Sequence, residues 1–308
     1  MDVDTPWATA VAVVSSSAYL LGIASFKVAA RDMEPLRGTR PVRLAAAMLT
    51  SRTWCGGAVL AVAGAALQWM ALSSLTLPAA HPALLAGLAA LLIFATAELG
   101  ERLNRREWGC VGLTGLAALM VALSGADFGP AAGLPSPALL AALALPSLVL
   151  PLALFSAGEL SPAGTHARPL TGVAYGVSAG ILVGTAELAL GGITLLRHTD
   201  TPLVATPYPY LLVTAAAMGI AQLQIALQRC RLVMIGIIAT VTAKTYLLGT
   251  SIVLYGYGWP GQPARGFLIA GLTLSFLAIA VLPHHEISKR REEVRPQPAW
   301  PPYRERPW

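Results

Sequence analysis

Two charged residues stand where charge is least expected. Lys244 is thirteenth in an apolar run of about 24 residues, Leu232–Tyr255, and Glu187 lies inside another, Leu170–Gly191. A charge within the hydrocarbon of a membrane costs about 2.5–3.5 kcal/mol on insertion scales, so it normally faces a cavity or a partner. An ammonium at that depth can hold an anionic or carboxylate-bearing solute, or it can titrate as a coupling group. The same two residues can instead form an internal ion pair that ties their helices together. Glu187 is expected nearer the end of its run than Lys244, several ångströms off in depth. Both readings stay open on the sequence.

Uncharged polar groups extend the candidate set. Thr240, Thr242, Thr245 and Tyr246 give the run around Lys244 a polar stripe. Gln68 and Trp69 sit late in the run Trp54–Leu75, and His81 falls between Pro78 and Pro82 at the start of the next. Prolines four apart free backbone carbonyls that a cavity or a neighbouring helix must satisfy. His81 can bind or titrate, or it can be a structural interfacial histidine. Gln222 and Gln224, two apart on one helix, point to different faces, so only one readily faces a given cavity. Ser15–Ser17 and Tyr19 make a polar face in the first run, equally explained by close packing of small residues. Lys27, at the end of that run, is expected to snorkel to the interface.

The elements that must position these groups follow from composition. Of 308 residues 56% are hydrophobic and 12% charged. An average soluble domain is about 25% charged, so too few solvating groups remain to cover a water-soluble surface. Disorder would need the opposite balance. The expected class is an all-α integral membrane protein. Since a bilayer core about 30 Å thick takes about 20 apolar residues, nine spans are expected. They are Trp7–Ala29, Trp54–Leu75, Pro78–Ala97, Trp108–Ser124, Pro137–Gly158, Leu170–Gly191, Tyr208–Gln228, Leu232–Tyr255 and Gly266–Leu282. The first is too long, and its Asp2 and Asp4 flank too acidic, for a cleavable signal peptide. Pro41–Thr50 reads as a short interfacial helix. Pro146 and Pro151 are expected to kink the fifth span. One transmembrane unit, 1–282, divides into halves 1–136 and 137–282. A Pro/Arg-rich stretch, 283–308, is expected to be a flexible cytoplasmic tail.

The net charge of +6 is distributed unlike a nucleic-acid surface. Counting alternate loops, 17 of the 21 lysines and arginines fall on one side and only Arg197 and Arg265 on the other, with Lys27 and Lys244 inside runs. That asymmetry puts the N-terminus outside and the C-terminus in the cytoplasm of a cell or inner membrane. The three cysteines, Cys55, Cys110 and Cys230, lie too far apart for a zinc motif and read as small hydrophobes.

The halves resemble each other. Ser16, Gly22 and Ala24 match Ser178, Gly184 and Ala186 in spacing, and Gly64, Ala71 and Leu72 match Gly219, Ala226 and Leu227. Separated by an odd number of spans, they would sit as inverted repeats, the usual build of secondary transporters with a site near the midplane.

The third and fourth spans carry a further likeness. Ala71-Leu72-Ser73-Ser74-Leu75, Pro78-Ala79-Ala80-His81-Pro82, then Gly100-Glu101-Arg102-Leu103 before Trp108-Gly109, resemble the drug/metabolite transporter superfamily in its EamA-type and NIPA-like branches. The likeness covers about residues 64–125, and no counterpart of the Gly-Glu-Arg-Leu turn follows Tyr255. It implies a multi-helix transporter of small solutes, or of magnesium in the NIPA-like case. Read on its own, Gly100 can end a helix, and Glu98 or Glu101 can pair with Arg102, Arg105 or Arg106.

No phosphate loop, HExxH or nucleophile elbow occurs, so neither a nucleotide-driven pump nor a protease is expected. The expectation is a non-enzymatic secondary transporter of metabolites or drug-like solutes, an exporter. Proton coupling and a homodimer are compatible with it, and no cofactor or metal site is assigned. Its candidate residues are Lys244, Glu187, Gln68, His81, Gln222, Gln224 and Tyr19. Magnesium transport and flipping of a lipid-linked headgroup are the alternatives. Mg²⁺ wants carboxylates, and the spans offer one convincing acid beside a repelling lysine.

Overall fold

The computed structural model describes residues 4–34, 36, 40–75, 77–124, 131, 133–160, 169–197, 199 and 201–281, and no strand occurs among them. Ten α-helices follow one another: α1 (Asp4–Asp32), α2 (Pro41–Thr50), α3 (Arg52–Ala71), α4 (Leu77–Ala97), α5 (Arg105–Ser124), α6 (Pro137–Leu160), α7 (Pro169–Leu196), α8 (Tyr208–Arg229), α9 (Leu232–Tyr255) and α10 (Ala264–Val281). Each apolar run of the sequence is one of these helices with its ends shifted by a few residues. Eight of them are long and apolar enough to cross a membrane among the described residues. The chain is therefore an all-α, multi-pass membrane protein. The 21-residue α4 is helical throughout, and its described apolar stretch is Gly87–Ala97. α2 coincides with the segment read as an interfacial helix. The tail 283–308 lies outside the described residues.

Side chains are distributed as a hydrocarbon solvent requires. Val59, Val62, Ile93, Val149 and Phe276 face outward, while Ser15, Gln68, Ser178, Thr185, Gln222 and Gln224 are buried between helices. With lipid as apolar as Leu, helices gain little by burying large aliphatic groups and associate instead through close packing and internal hydrogen bonds.

α1 packs mainly on α3 and α4, α7 mainly on α8 and α9, α5 pairs with α10, and α4 meets α9. Small residues make these approaches close. A Cβ on Gly22 would lie 2.7 Å from the Gly57 carbonyl oxygen, and one on Gly57 would lie 2.8 Å from that of Gly22. Next along the same antiparallel contact, Ser15 Oγ donates to the Gly64 carbonyl at 2.7 Å. On α7, Gly172, Gly176, Gly180 and Gly184 form a stripe at four-residue intervals. It faces Cys230, then Ile235 and Ile238, then Ala239 and Thr242, then Ala243 and Tyr246. Partners advance in step along both helices, so α7 and α9 run parallel with a fixed register. Gly22 and Gly184, which occupy matching places in the two halves of the sequence, meet different neighbours: α3 and α9, respectively.

One boundary shift matters for the site. The sequence ends the sixth span at Gly191, whereas α7 continues to Leu196. The extension brings Glu187 closer to the middle of its helix than the sequence reading allowed.

Candidate functional site

Lys244 and Glu187 form an ion pair, Nζ to Oε1 at 2.5 Å. Both are more than nine-tenths buried, at 6% and 8% exposure. The glycine stripe explains how the depth difference is bridged. Gly184 sits against Ala243 and Tyr246, which places the α7 turn carrying Glu187 beside the α9 turn just beyond Lys244. A lysine side chain spans the remaining offset. Without Gly180 and Gly184 the helix axes would stand further apart and the pair would open. A Cβ at Gly180 would lie 2.6 Å from the Ala239 carbonyl oxygen.

The pair borders a small internal cavity where five helices converge. Tyr19, Ser16, Leu20 and Ile23 come from α1, at the spacing of one helical face. Gln68 comes from α3, Val183 and Glu187 from α7, Leu223 from α8, and Thr240 and Lys244 from α9. The space open to the centre of a water-sized sphere is about 20 Å³, enough for about one water molecule. Two buried polar atoms of its wall residues, Glu187 Oε2 and Gln68 Nε2, have no hydrogen-bond partner among the described residues. One is an acceptor and the other a donor. Leaving such groups unmatched in a low-dielectric interior costs about 1–3 kcal/mol each, more for the charged one. Each such atom in a native interior calls for an explanation.

A second space adjoins this one. Between α3 and α8, floored by α1 and α7, runs a groove of about 170 Å³ by the same measure. It shares Tyr19, Gln68, Val183 and Glu187 with the central cavity, and its remaining wall is aliphatic, including Ala58, Val62, Ala65, Leu190, Leu212 and Ile220. Val62 and Ala65 are exposed, so the groove opens on the outer, hydrocarbon-facing surface of the bundle.

Lys244, Glu187, Gln68 and Tyr19 thus converge on one site. Gln222 and Gln224 do not line it. Gln222 Nε2 donates to the Pro151 carbonyl at 3.2 Å and joins α8 to α6. Gln224 Nε2 donates to the Phe26 carbonyl at 3.4 Å and joins α8 to α1. His81 is on α4, and its side chain lies outside the described residues.

A polar cluster that the sequence did not announce gathers the helix ends at the basic face of the bundle. The sequence allows Glu98 or Glu101 to pair with Arg102, Arg105 or Arg106, but Glu101 does not take that role. Its carboxylate instead accepts from the backbone N–H groups of Leu232 and Val233, at 2.8 and 3.0 Å. It caps the start of α9, where Arg231 supplies no side-chain cap of its own. Gly100, at φ +64°, turns the chain after α4 so that this carboxylate can reach across. Arg231 bonds Glu107 at 2.5 Å and the Arg102 carbonyl at 2.7 Å. Lys27 does not simply snorkel: its ammonium donates to the Leu227 and Cys230 carbonyls, at 2.6 and 2.7 Å, and closes the end of α8. Negative charge at a helix start and positive charge at a helix end both complement the helix dipole. Together these contacts lock the α8–α9 corner to α1, α4 and α5. The one sequence signal for this was α9 beginning after Arg-Cys-Arg with no capping residue, which calls for an acceptor from elsewhere.

At the opposite face Tyr255 Oη donates to the Leu188 carbonyl at 2.6 Å, and Tyr208, Tyr255 and Tyr257 pack in one apolar cluster with Leu196 and Leu211. Arg197, just past α7, lies over the Trp69 ring of α3, 3.9 Å from its centroid. Among the described residues no group of three or more His, Cys, Asp or Glu side chains is arranged to hold a metal ion. No protein family, characterised protein or solved structure matches the chain.

Proposed function

We propose that the chain is a secondary transporter of small metabolites or drug-like solutes, working as an exporter, with its substrate site at the Lys244–Glu187 cavity. The observation that carries this reading is a buried ion pair with a spare carboxylate oxygen and a spare amide donor, on a cavity to which both halves contribute helices. In membrane proteins such groups mark solute and proton pathways.

The helix arrangement supports it. The packing of α1 on α3 and α4 is mirrored by that of α7 on α8 and α9, and α5 meets α10 between the sets. We read this as an inverted repeat of a nine-span transporter, resembling the drug/metabolite transporter superfamily, with the basic face cytoplasmic and the N-terminus outside. The bonded α8–α9 corner then closes the cytoplasmic side in the described state, and the Tyr208–Tyr255–Tyr257 cluster with Arg197–Trp69 forms the outer closure. Alternating access would release the one as it tightens the other. A magnesium role draws less support, because the cavity's carboxylate is already committed to Lys244 and no second acid lines the wall. Flipping of a lipid-linked headgroup is the second reading, favoured by the groove that opens toward lipid.

The test is reconstitution of the full chain in proteoliposomes loaded with a pH-sensitive dye. A panel of amphipathic drugs and small metabolites is added with and without a pH gradient. Saturable flux of at least one compound, tied to proton movement, is the expected result. Flux no different from that of protein-free vesicles across the panel would overturn the reading, and saturable Mg²⁺ flux that outcompetes the organic compounds would transfer it to the cation alternative.

A further inference from the structure

The two spaces at the site have different sizes and different chemistry, and the side chains of Tyr19, Gln68, Val183 and Glu187 form the wall they share. The central one admits a group no larger than about one water, and two of the side chains in its wall carry buried unmatched atoms, the acceptor Glu187 Oε2 and the donor Gln68 Nε2. The lateral one is larger, about 170 Å³, aliphatic, and open to the hydrocarbon-facing surface at Val62 and Ala65. A ligand occupying both has a small polar head and an apolar body.

Charge balance narrows the head. Lys244 and Glu187 already sum to zero, so a ligand carrying net charge would bring an uncompensated ion into a low-dielectric interior. An ammonium would bind Glu187 only by sitting close to Lys244, and a carboxylate would face Glu187. A hydroxyl meets both needs at once: its O–H donates to Glu187 Oε2 and its oxygen accepts from Gln68 Nε2. Both wall atoms are then satisfied with no change in net charge.

Resting on the transporter reading above, we propose that the α3–α8 groove is a membrane-side entrance for uncharged amphipaths, whose hydroxyl head lodges between Glu187 and Gln68 while the apolar body lies against α3 and α8. The substrate class is therefore aliphatic or aryl alcohols that partition into the bilayer, rather than ions drawn from the aqueous phase.

The experiment is photoaffinity labelling of the full chain in nanodiscs with a medium-chain alcohol carrying a diazirine on its alkyl chain. The same chain ending in trimethylammonium and in carboxylate serves for comparison. Expected is labelling of α3 and α8 around Val62, Ala65 and Leu212, mapped by mass spectrometry and suppressed by excess unlabelled alcohol. It should fall about tenfold in Val62→Trp, which plugs the groove, and in Gln68→Leu, which removes the donor. Monodispersity and the thermal midpoint of each variant establish that it folds, and Val59→Trp, exposed on α3 away from the groove, serves as a second folded control that labels as wild type does. Equal or stronger labelling by either charged probe, or alcohol labelling spread over the lipid-facing surface and unmoved by both variants, would overturn the proposal. Failure here is separable from failure of the transporter reading. If a solute from the proteoliposome panel still crosses through the Val62→Trp protein at the wild-type rate, the entrance is wrong and the transporter stands.

Discussion

Lys244 and Glu187 illustrate how much a single residue in the wrong solvent reveals. Each was conspicuous in the sequence because an apolar run has no reason to contain it. Whether the two touch was not legible, since their separation depends on the register of α7 against α9, which a four-residue glycine stripe sets. Removing one member of a buried pair strands the other, at a cost of about 3–5 kcal/mol, whereas replacing both with apolar groups of similar volume is often neutral. Lys244→Ala and Glu187→Ala should each lower the thermal midpoint strongly, and the double variant Lys244→Met with Glu187→Leu should recover most of the loss. A double variant that falls by the sum of the singles would mean the two do not act as a pair. Gln222 and Gln224 teach the complementary lesson. Their polarity was evident, but the amide N–H groups of both go to backbone carbonyls of neighbouring helices, and nothing local in the sequence separates a helix brace from a cavity wall.

Among the elements, α7 and the α8–α9 corner carry the architecture that positions the site. A side chain at Gly180 meets the Ala239 backbone, which cannot move aside as a side chain tip can. Gly180→Val should therefore push α7 from α9 and cost about 1–3 kcal/mol. It should also shrink the energetic coupling between Lys244 and Glu187 in a double-mutant cycle. Gly112→Ala, with nothing within 4 Å of the added carbon, should leave both unchanged. At the corner, loss of a helix-start acceptor costs about 0.5–2 kcal/mol, so Glu101→Ala should lower the thermal midpoint while Glu98→Ala, exposed on the same turn, should not. Equal effects of the two would contradict the capping role. Helix positions were nearly all readable from apolar run length, because hydrocarbon thickness dictates it. Helix ends were less so: α7 gained a turn beyond Gly191, and the partner of Glu101 lies 131 residues away in sequence.

For the molecule as a whole, sorted charge is the strongest sequence-level statement. The structure brings the basic loops after α4 and α8 into one bonded cluster, as the alternation of loops requires. A C-terminal fluorescent-protein fusion should be bright and an alkaline phosphatase fusion inactive if that face is cytoplasmic, and the reverse outcome would invert the topology. What the sequence could not supply was the convergence of five helices on one small polar cavity, because it arises from packing between halves. We propose that solute passes through this cavity and along its ion pair. Flux should be measured through proteoliposomes containing the wild-type chain, Lys244→Ala and the doubly apolar Lys244→Met, Glu187→Leu variant, each first shown to be monodisperse. Saturable flux is expected for the wild type and at least a tenfold loss in both variants, including the double variant whose stability is restored. Wild-type flux through that stable double variant would show that the pair only holds helices together.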